Sequence, residues 1–215
     1  RRRPEDYPVN DSASPIQVSM FNAVGGSTIL YAAHFPRFRP EDFQVRTRDG
    51  VADDWPIDYA TLEPWYDLNA EIMGVSGAPG DPAYPPKVLP LPPVPLGKLG
   101  KTLARGFDRL GWHWWPSDSA IVTRDYRGRA ACVNAGTCLL GCPQGAKGSV
   151  DVTYWPEALR HGVRLRTRCR VREITVGPDG MVNGVIYYDA DGKEQRQKAH
   201  MVILACNGVG TPRLL

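Results

Sequence analysis

The chain has 215 residues, with 26 Lys and Arg against 23 Asp and Glu, a formal net charge of +3. Its 22 glycines and 20 prolines approach a fifth of all residues, against an average of about 12%, which argues against an all-helical bundle. The 6 Trp, 9 Tyr and 5 Phe demand burial and argue against disorder, and the interleaved charges, with no basic run longer than the one at Arg1, Arg2 and Arg3, argue against a nucleic-acid surface.

Residues 1–20 read as irregular. Residues 12–36 carry no Asp, Glu, Lys or Arg, about the length of a membrane span, but Pro15, Gly25 and Gly26 interrupt them. Direct membrane insertion is therefore not expected. Val24, Gly25, Gly26, Ser27 and Thr28 then lead into an apolar stretch ending at His34. Two adjacent glycines let the backbone come close to another group and free consecutive N–H groups to point at an anion, although an ordinary tight turn leaves the same signature.

Residues 55–73 predict a helix with Asp58 as its N-cap. Leu62, Trp65, Tyr66, Ile72 and Met73 form an aromatic-rich inner face, and Gly74 and Gly77 end it. Eight prolines within residues 79–96 predict extended, polyproline-like chain. Here Lys87, Pro90 and Pro93 fit a basic-x-x-P-x-x-P docking pattern, but such patterns arise easily by chance in Pro-rich runs, and a connector packed on its own domain is the favoured reading. Residues 96–110 predict an amphipathic helix with Leu99, Leu103, Phe107 and Leu110 on one stripe. Residues 112–116, which hold Trp112, Trp114 and Trp115, predict a short apolar strand.

A helix is expected over residues 152–160. Residues 163–167, 170–176, 184–188 and 194–198 alternate as strands of a polar-faced antiparallel meander, with turns at 177–180 and 190–193. Residues 201–206 are apolar without alternation, as in a parallel strand buried on both faces. Gly208 and Gly210 come next, but Arg213 stands where a third glycine would complete a dinucleotide fingerprint. Thr211 and Pro212 announce a helix start about one turn before the last residue. The sequence is accordingly expected to be an internal segment of a longer protein.

Cys132, Cys138 and Cys142 lie close together, and Cys169 and Cys206 stand apart. The spacing matches a ferredoxin-type ligand run, except that Ala135 replaces the second cysteine. An iron–sulfur site, a disulfide with one thiol left over, and three unmodified thiols all fit it. Zinc fits poorly, for want of a fourth ligand nearby.

Several segments together resemble the glucose-methanol-choline (GMC) flavin oxidoreductases, and within them the branch that includes large subunits of bacterial gluconate and sorbitol dehydrogenases. Residues 24–28 are similar to the family's G-G-S-[ST] segment over FAD. Arg37, Phe38, Pro40, Asp42 and Phe43 resemble the next segment of that branch. Asp54, Trp55, Pro56 and Ile57 with Leu62, Pro64, Trp65 and Tyr66 resemble its W-P…L-x-P-Y-Y stretch. Gly141, Cys142, Gly145, Ala146, Lys147 and Ser149 resemble G-C-x-x-G-A-K-x-S. Residues 202–215 resemble V-[IV]-L-A-A-G-A-[IV]-G-T-P-x-L-L, with Asn207 and Gly208 in place of Gly-Ala; Tyr31 also departs from the usual Asn or His.

The resemblance implies a mixed α/β fold: an incomplete FAD-binding, Rossmann-like domain with an antiparallel meander, plus part of a substrate domain. It implies an FAD-covering segment over residues 1–54, part of the substrate domain with its Pro-rich connector over 55–130, and a return to the FAD domain over 131–215. It implies that Gly25, Gly26, Ser27 and Thr28 lie against FAD, that Tyr31 and Ala32 continue along the flavin through backbone atoms, that the Val171 backbone meets adenine, and that Cys206 and Asn207 lie near the phosphate or ribose. The implied activity is oxidation of an alcohol, sugar or sugar acid by hydride transfer to FAD, in a dehydrogenase serving a separate acceptor such as a cytochrome or a quinone. The competing function is an electron-transfer subunit with an iron–sulfur centre on the three clustered cysteines. The family's catalytic His motif is matched by none of His34, His113, His161 and His200, so no catalytic residue is assigned; His34 reads better as a structural histidine than as a flavin neighbour.

Overall fold

The computed structural model describes residues 10, 12–16, 18 and 20–215. The remaining part of the irregular stretch expected over residues 1–20, including the arginines at positions 1–3, lies outside them. The chain forms two compact units, one ending at His161 and the other Gly162–Leu215. Each is described by itself.

In the first unit, a short 3-10 helix at Gly26–Ile29 comes directly after Gly25. A short helix α1 spans Val45–Asp49 and the longer α2 spans Tyr59–Met73. The Asp58 side chain accepts from the Thr61 N–H, 2.9 Å away, so one of the unpaired donors of the first turn of α2 is satisfied as expected. Gly74 closes α2. Tyr59, Ala70 and Met73 carry its inner face, whereas Trp65 is 65% exposed and lies on the outer one.

The Pro-rich stretch packs on its own unit. Leu91 is buried, pairs by a single bridge with Ser76, and joins Val122 and Ala146 in one core cluster. Lys87 is buried in an ion pair with Asp118 and lies 4.6 Å from the centre of the Tyr84 ring. The basic residue of the docking pattern is thus withdrawn from the surface, and the connector reading replaces it. Helix α3 spans Lys98–Leu110, starting two residues later than expected. Its leucine stripe faces away from the unit: Leu99, Leu103 and Leu110 are exposed and Ala104 is buried instead.

Residues 112–116 form no strand. Their side chains are held singly instead, Trp114 Nε1 donating to Asp108 and Trp115 Nε1 to the Ala78 carbonyl, with the Trp112 ring stacked on Phe107. Apolarity alone does not make a strand; a ladder needs a neighbour with matching free N–H and C=O groups. Helix α4 spans Tyr154–Arg160. A second core cluster joins Ala70, Met73, Val75 and Ala120, with Tyr31, Phe35 and Leu89 packed against it.

The second unit is the expected meander with one strand fewer. Strands β1 (Arg170–Val176), β2 (Val182–Tyr188) and β3 (Glu194–Lys198) pair antiparallel in the order β1-β2-β3. Val171 opposes Tyr187 and Ile186 opposes Arg196. Residues 163–167 are irregular. Residues 201–205 also form no strand; Met201 is 77% and Ile203 82% exposed. A parallel strand requires flanking strands, and among the described residues none pairs with this segment. Helix α5 spans Asn207–Leu214, beginning four residues ahead of Thr211. The Asn207 side chain accepts from the N–H groups of Val209 and Gly210, the work expected of Thr211. Among the described residues no helix is long and apolar enough to cross a membrane.

Candidate cofactor site

The paired glycines take left-handed backbone, Gly25 at φ 96° and Gly26 at φ 57°. A Cβ at Gly25 would stand 3.0 Å from Asp151, whereas one at Gly26 would meet nothing within 4 Å. The backbone is therefore backed by Asp151 on one side and open on the other. Thr28 locks the turn: its hydroxyl donates to the Gly25 carbonyl (2.6 Å) and accepts from the Val150 N–H (3.1 Å). Ser27 Oγ accepts from the Phe21 N–H at 3.3 Å. Both hydroxyls thus brace the protein, which leaves the backbone as the cradle at this point.

Tyr31 turns inward while Ala32 is exposed. The Tyr31 hydroxyl donates to the Gly148 carbonyl at 2.5 Å, and burial raises its pKa well above the ordinary phenol value. Lys147, from the G-A-K stretch, supports the same segment from below. It is 2% exposed, and its ammonium donates to the carbonyls of Ile29 (2.6 Å), Tyr31 (3.0 Å) and Cys138 (2.6 Å). All three of its donors are used. Burial lowers its pKa, and the nearby Cys138, Cys142 and Asp151 oppose that shift. Lys147 was visible in the sequence motif, but a lone lysine carries no sign of burial. Asp151 went unnoticed for the same reason, and its Oδ1 is buried without a hydrogen-bond partner.

The three clustered cysteines are unpaired thiols, each half-buried, as are Cys169 and Cys206. Cys132 and Cys142 pack against the cluster of Leu91, Val122 and Ala146. Burial works to raise the Cys142 thiol, but the backbone N–H groups of Lys147, Gln144, Ala146 and Gly145 outweigh it and leave the pKa lowered. Among the described residues no group of three or more His, Cys, Asp or Glu is arranged to hold a metal ion.

His34 is exposed, with a 2.7 Å hydrogen bond between its Nδ1 and Ser117 Oγ. It also opens a cleft of about 290 Å³ lined by Phe35, Phe38, Asn69, Val75, Leu89 and Asp118 among others.

In the second unit, Val171 sits in β1 with its carbonyl accepting from Arg213 of α5 at 2.9 Å. Cys206 precedes α5, and its N–H donates to Thr211 Oγ1 at 3.2 Å. Val171, Cys206 and Asn207 therefore share one unit, and residues 25–32 belong to the other.

A family model for GMC oxidoreductase matches residues 14–215. The chain belongs to the GMC oxidoreductases. A 2-methyl-1,2-propanediol dehydrogenase of Mycolicibacterium austroafricanum is 45% identical across 100% of this chain and 39% of its own length. The fructose dehydrogenase large subunit of Gluconobacter japonicus is 31% identical over 91% of the chain and 37% of its own length. A 6'''-hydroxyparomomycin C oxidase of Streptomyces lividus is 31% identical over 89% and 36% respectively. The chain thus spans well under half the length of these relatives. The family's N-terminal domain binds FAD, and this membership places the chain with flavoprotein oxidoreductases rather than with electron-transfer subunits. The open backbone at Gly26 and the exposed Ala32 fit a cofactor that approaches main chain rather than side chains.

Proposed function

We propose that the chain is part of an FAD-dependent dehydrogenase that oxidises the CH–OH group of an alcohol or sugar and passes the electrons to a separate acceptor, a cytochrome or a quinone. The observation that carries this reading is the Gly25–Gly26 turn, left-handed at both residues and braced by Thr28, in a chain matched to the GMC family across residues 14–215. Gly25, Gly26, Ser27, Thr28, Tyr31 and Ala32 would line FAD chiefly through backbone atoms, and Val171, Cys206 and Asn207 would serve its adenosine and phosphate end. Bound FAD would supply the hydride acceptor, while the alcohol proton passes to a base.

What this chain itself contributes is positioning. Lys147 fixes three carbonyls, so that the peptides after Ile29 and Tyr31 keep one orientation. The Tyr31 ring packs against the core cluster of Ala70, Met73, Val75 and Ala120, while Ala32 is exposed. Residues 1–54 and 131–215 are assigned to the flavin domain and 55–130 to the substrate domain. The preference for dehydrogenase over oxidase rests on the 45% relative, since other relatives are named oxidases.

The test uses the full-length protein. Alcohols and sugars are added anaerobically while the visible absorbance of oxidised flavin is followed. Bleaching by an alcohol, slow reoxidation by air and fast reoxidation by a quinone or dye acceptor are expected. Rapid reoxidation in air with peroxide release would overturn the dehydrogenase assignment, and absence of flavin would overturn the whole.

A further inference from the structure

Asp151 holds an acceptor that the protein does not use. Its Oδ1 is buried and has no hydrogen-bond partner among the described residues. Lys147 is near enough to interact by charge, but its three N–H donors go to the carbonyls of Ile29, Tyr31 and Cys138. The oxygen lies instead against the glycine turn. A Cβ on Gly25 would stand 3.1 Å from Oδ1 and 3.0 Å from the Asp151 Cβ, so only a residue without a side chain lets the carboxylate come this close. The neighbouring residue fixes the approach. The Val150 N–H donates to Thr28 Oγ1, and Thr28 in turn donates to the Gly25 carbonyl. Residues 150–151 and 25–28 thus form one joint, with a spare acceptor at Gly25 and open space beside Gly26.

Buried polar atoms in folded proteins are nearly always paired, so a spare acceptor beside an open turn marks where a ligand donates. The chemistry of the acceptor selects the donor. Paired glycines suit an anion, but a carboxylate beside them repels a phosphate. FAD offers three kinds of donor, which are the ring N3–H, the amino group of adenine and the hydroxyls of its sugar chains. The N3–H lies between two carbonyl oxygens, which a carboxylate would also face. The adenosine end falls to Val171, Cys206 and Asn207 in the flavoenzyme reading. A ribityl hydroxyl carries neither conflict, and it rotates to place its proton on the acceptor.

We propose that Asp151 is a cofactor-binding residue whose Oδ1 accepts a hydrogen bond from a ribityl hydroxyl of FAD, so that the Gly25–Gly26 turn meets the neutral polyol of the cofactor and not its phosphates. The proposal rests on the flavoenzyme reading above. Gly25 is then required twice, once for its left-handed backbone and once to admit the carboxylate.

The test uses the full-length protein stripped of FAD, with Asp151→Ala and Asp151→Asn. Quenching of flavin fluorescence reads Kd for FAD, for riboflavin and for lumiflavin, which has the same ring but no ribityl chain. Asp151→Ala is expected to raise Kd for FAD and riboflavin at least tenfold and to leave lumiflavin within twofold. Asp151→Asn, which keeps an acceptor oxygen, should bring FAD and riboflavin back to within threefold. The Tm of the FAD-free Asp151→Ala protein should equal or exceed that of the unaltered protein, because no hydrogen bond of Oδ1 is lost; a structural role would lower it. Equal weakening of lumiflavin would overturn the proposal, as would a lowered Tm. So would an unchanged Kd for FAD in Asp151→Ala, the result expected if water alone pairs with Oδ1. If the unaltered protein binds no flavin, it is the flavoenzyme reading that fails.

Discussion

Lys147 holds the Tyr31 carbonyl at 3.0 Å while its ammonium lies 5.2 Å from the centre of the Tyr31 ring. One buried cation thus grips both the main chain and the side chain of a residue 116 positions earlier. It is the joint between the glycine turn and the cysteine loop, because its third donor goes to Cys138. Lys147→Met keeps the stem and removes the ammonium. Three partly buried carbonyls then lose their donor, at about 1–3 kcal/mol for each that finds no substitute. The expected result is a loss of roughly 3 kcal/mol or more in urea unfolding of the full-length protein, with weaker FAD retention. Unaltered stability would show that the lysine is dispensable.

The two glycines of the turn should respond differently to the same substitution. Gly25→Ala meets both an unfavourable φ of 96° and Asp151 at 3.0 Å. Gly26→Ala meets the left-handed backbone alone, with open space around the new methyl group. We expect about 1 kcal/mol for Gly26→Ala and roughly 2 kcal/mol or more for Gly25→Ala. Calorimetry on the apo-protein reads the difference. FAD affinity should reverse the order, because a methyl group at Gly26 intrudes on the open side where the cofactor is proposed to lie.

Local signals were the ones the sequence disclosed. Helix α2 was legible because Asp58 and Gly74 act within a few residues of the ends they define. The β1-β2-β3 meander was legible because its turns, 177–180 and 190–193, are short and rich in Gly and Asp. Features that depend on distant partners were not. Residues 201–205 have strand composition but no neighbour among the described residues, and the start of α5 moved from Thr211 to Asn207 because an Asn side chain reaching the N–H groups two and three residues ahead caps as well as a Thr. At the site, the glycine turn was visible from spacing, whereas Lys147 and Asp151 acquire their roles only from contacts with residues 25–31. The amphipathic pattern of α3 is legible as a pattern, whereas the exposure of Leu99, Leu103 and Leu110 is not, since periodicity says which residues share a side but not what covers it.

Tyr31 and Lys147 give the unit opposite responses to alkaline pH. Burial raises the Tyr31 phenol in the folded state, whereas in the unfolded chain it titrates near its ordinary value of about 10. Its contribution is therefore complete below about pH 10 and is lost as pH rises from there through the folded value. Lys147 is lowered by burial, so the folded state gains relative stability as pH rises from its folded value toward the ordinary lysine value of about 10.4. Tyr31→Phe should reduce the fall above pH 10, the rest coming from Tyr66 and Tyr154, which burial also raises, and Lys147→Met should flatten the rise below it. Urea midpoints at closely spaced pH values report both slopes. A fall above pH 10 of the same size in Tyr31→Phe would assign it to other groups.

The ion pair of Lys87 and Asp118 decides how the Pro-rich connector is held. Both side chains are nearly closed to solvent, at 6% and 5% exposure. Asp118 also anchors the connection to the cleft, since its carbonyl accepts from the Phe35 N–H at 2.9 Å. Removing one partner strands the other charge, which costs about 3–5 kcal/mol in comparable buried pairs. Replacing both with apolar residues of similar volume is close to neutral or even stabilising. Lys87→Met and Asp118→Leu are thus each expected to destabilise the full-length protein strongly, and the double variant to recover most of the loss. The double-mutant cycle separates the pair from its surroundings. Additive losses would mean that Lys87 is held by the Tyr84 ring, whose centre is 4.6 Å away, rather than by the carboxylate.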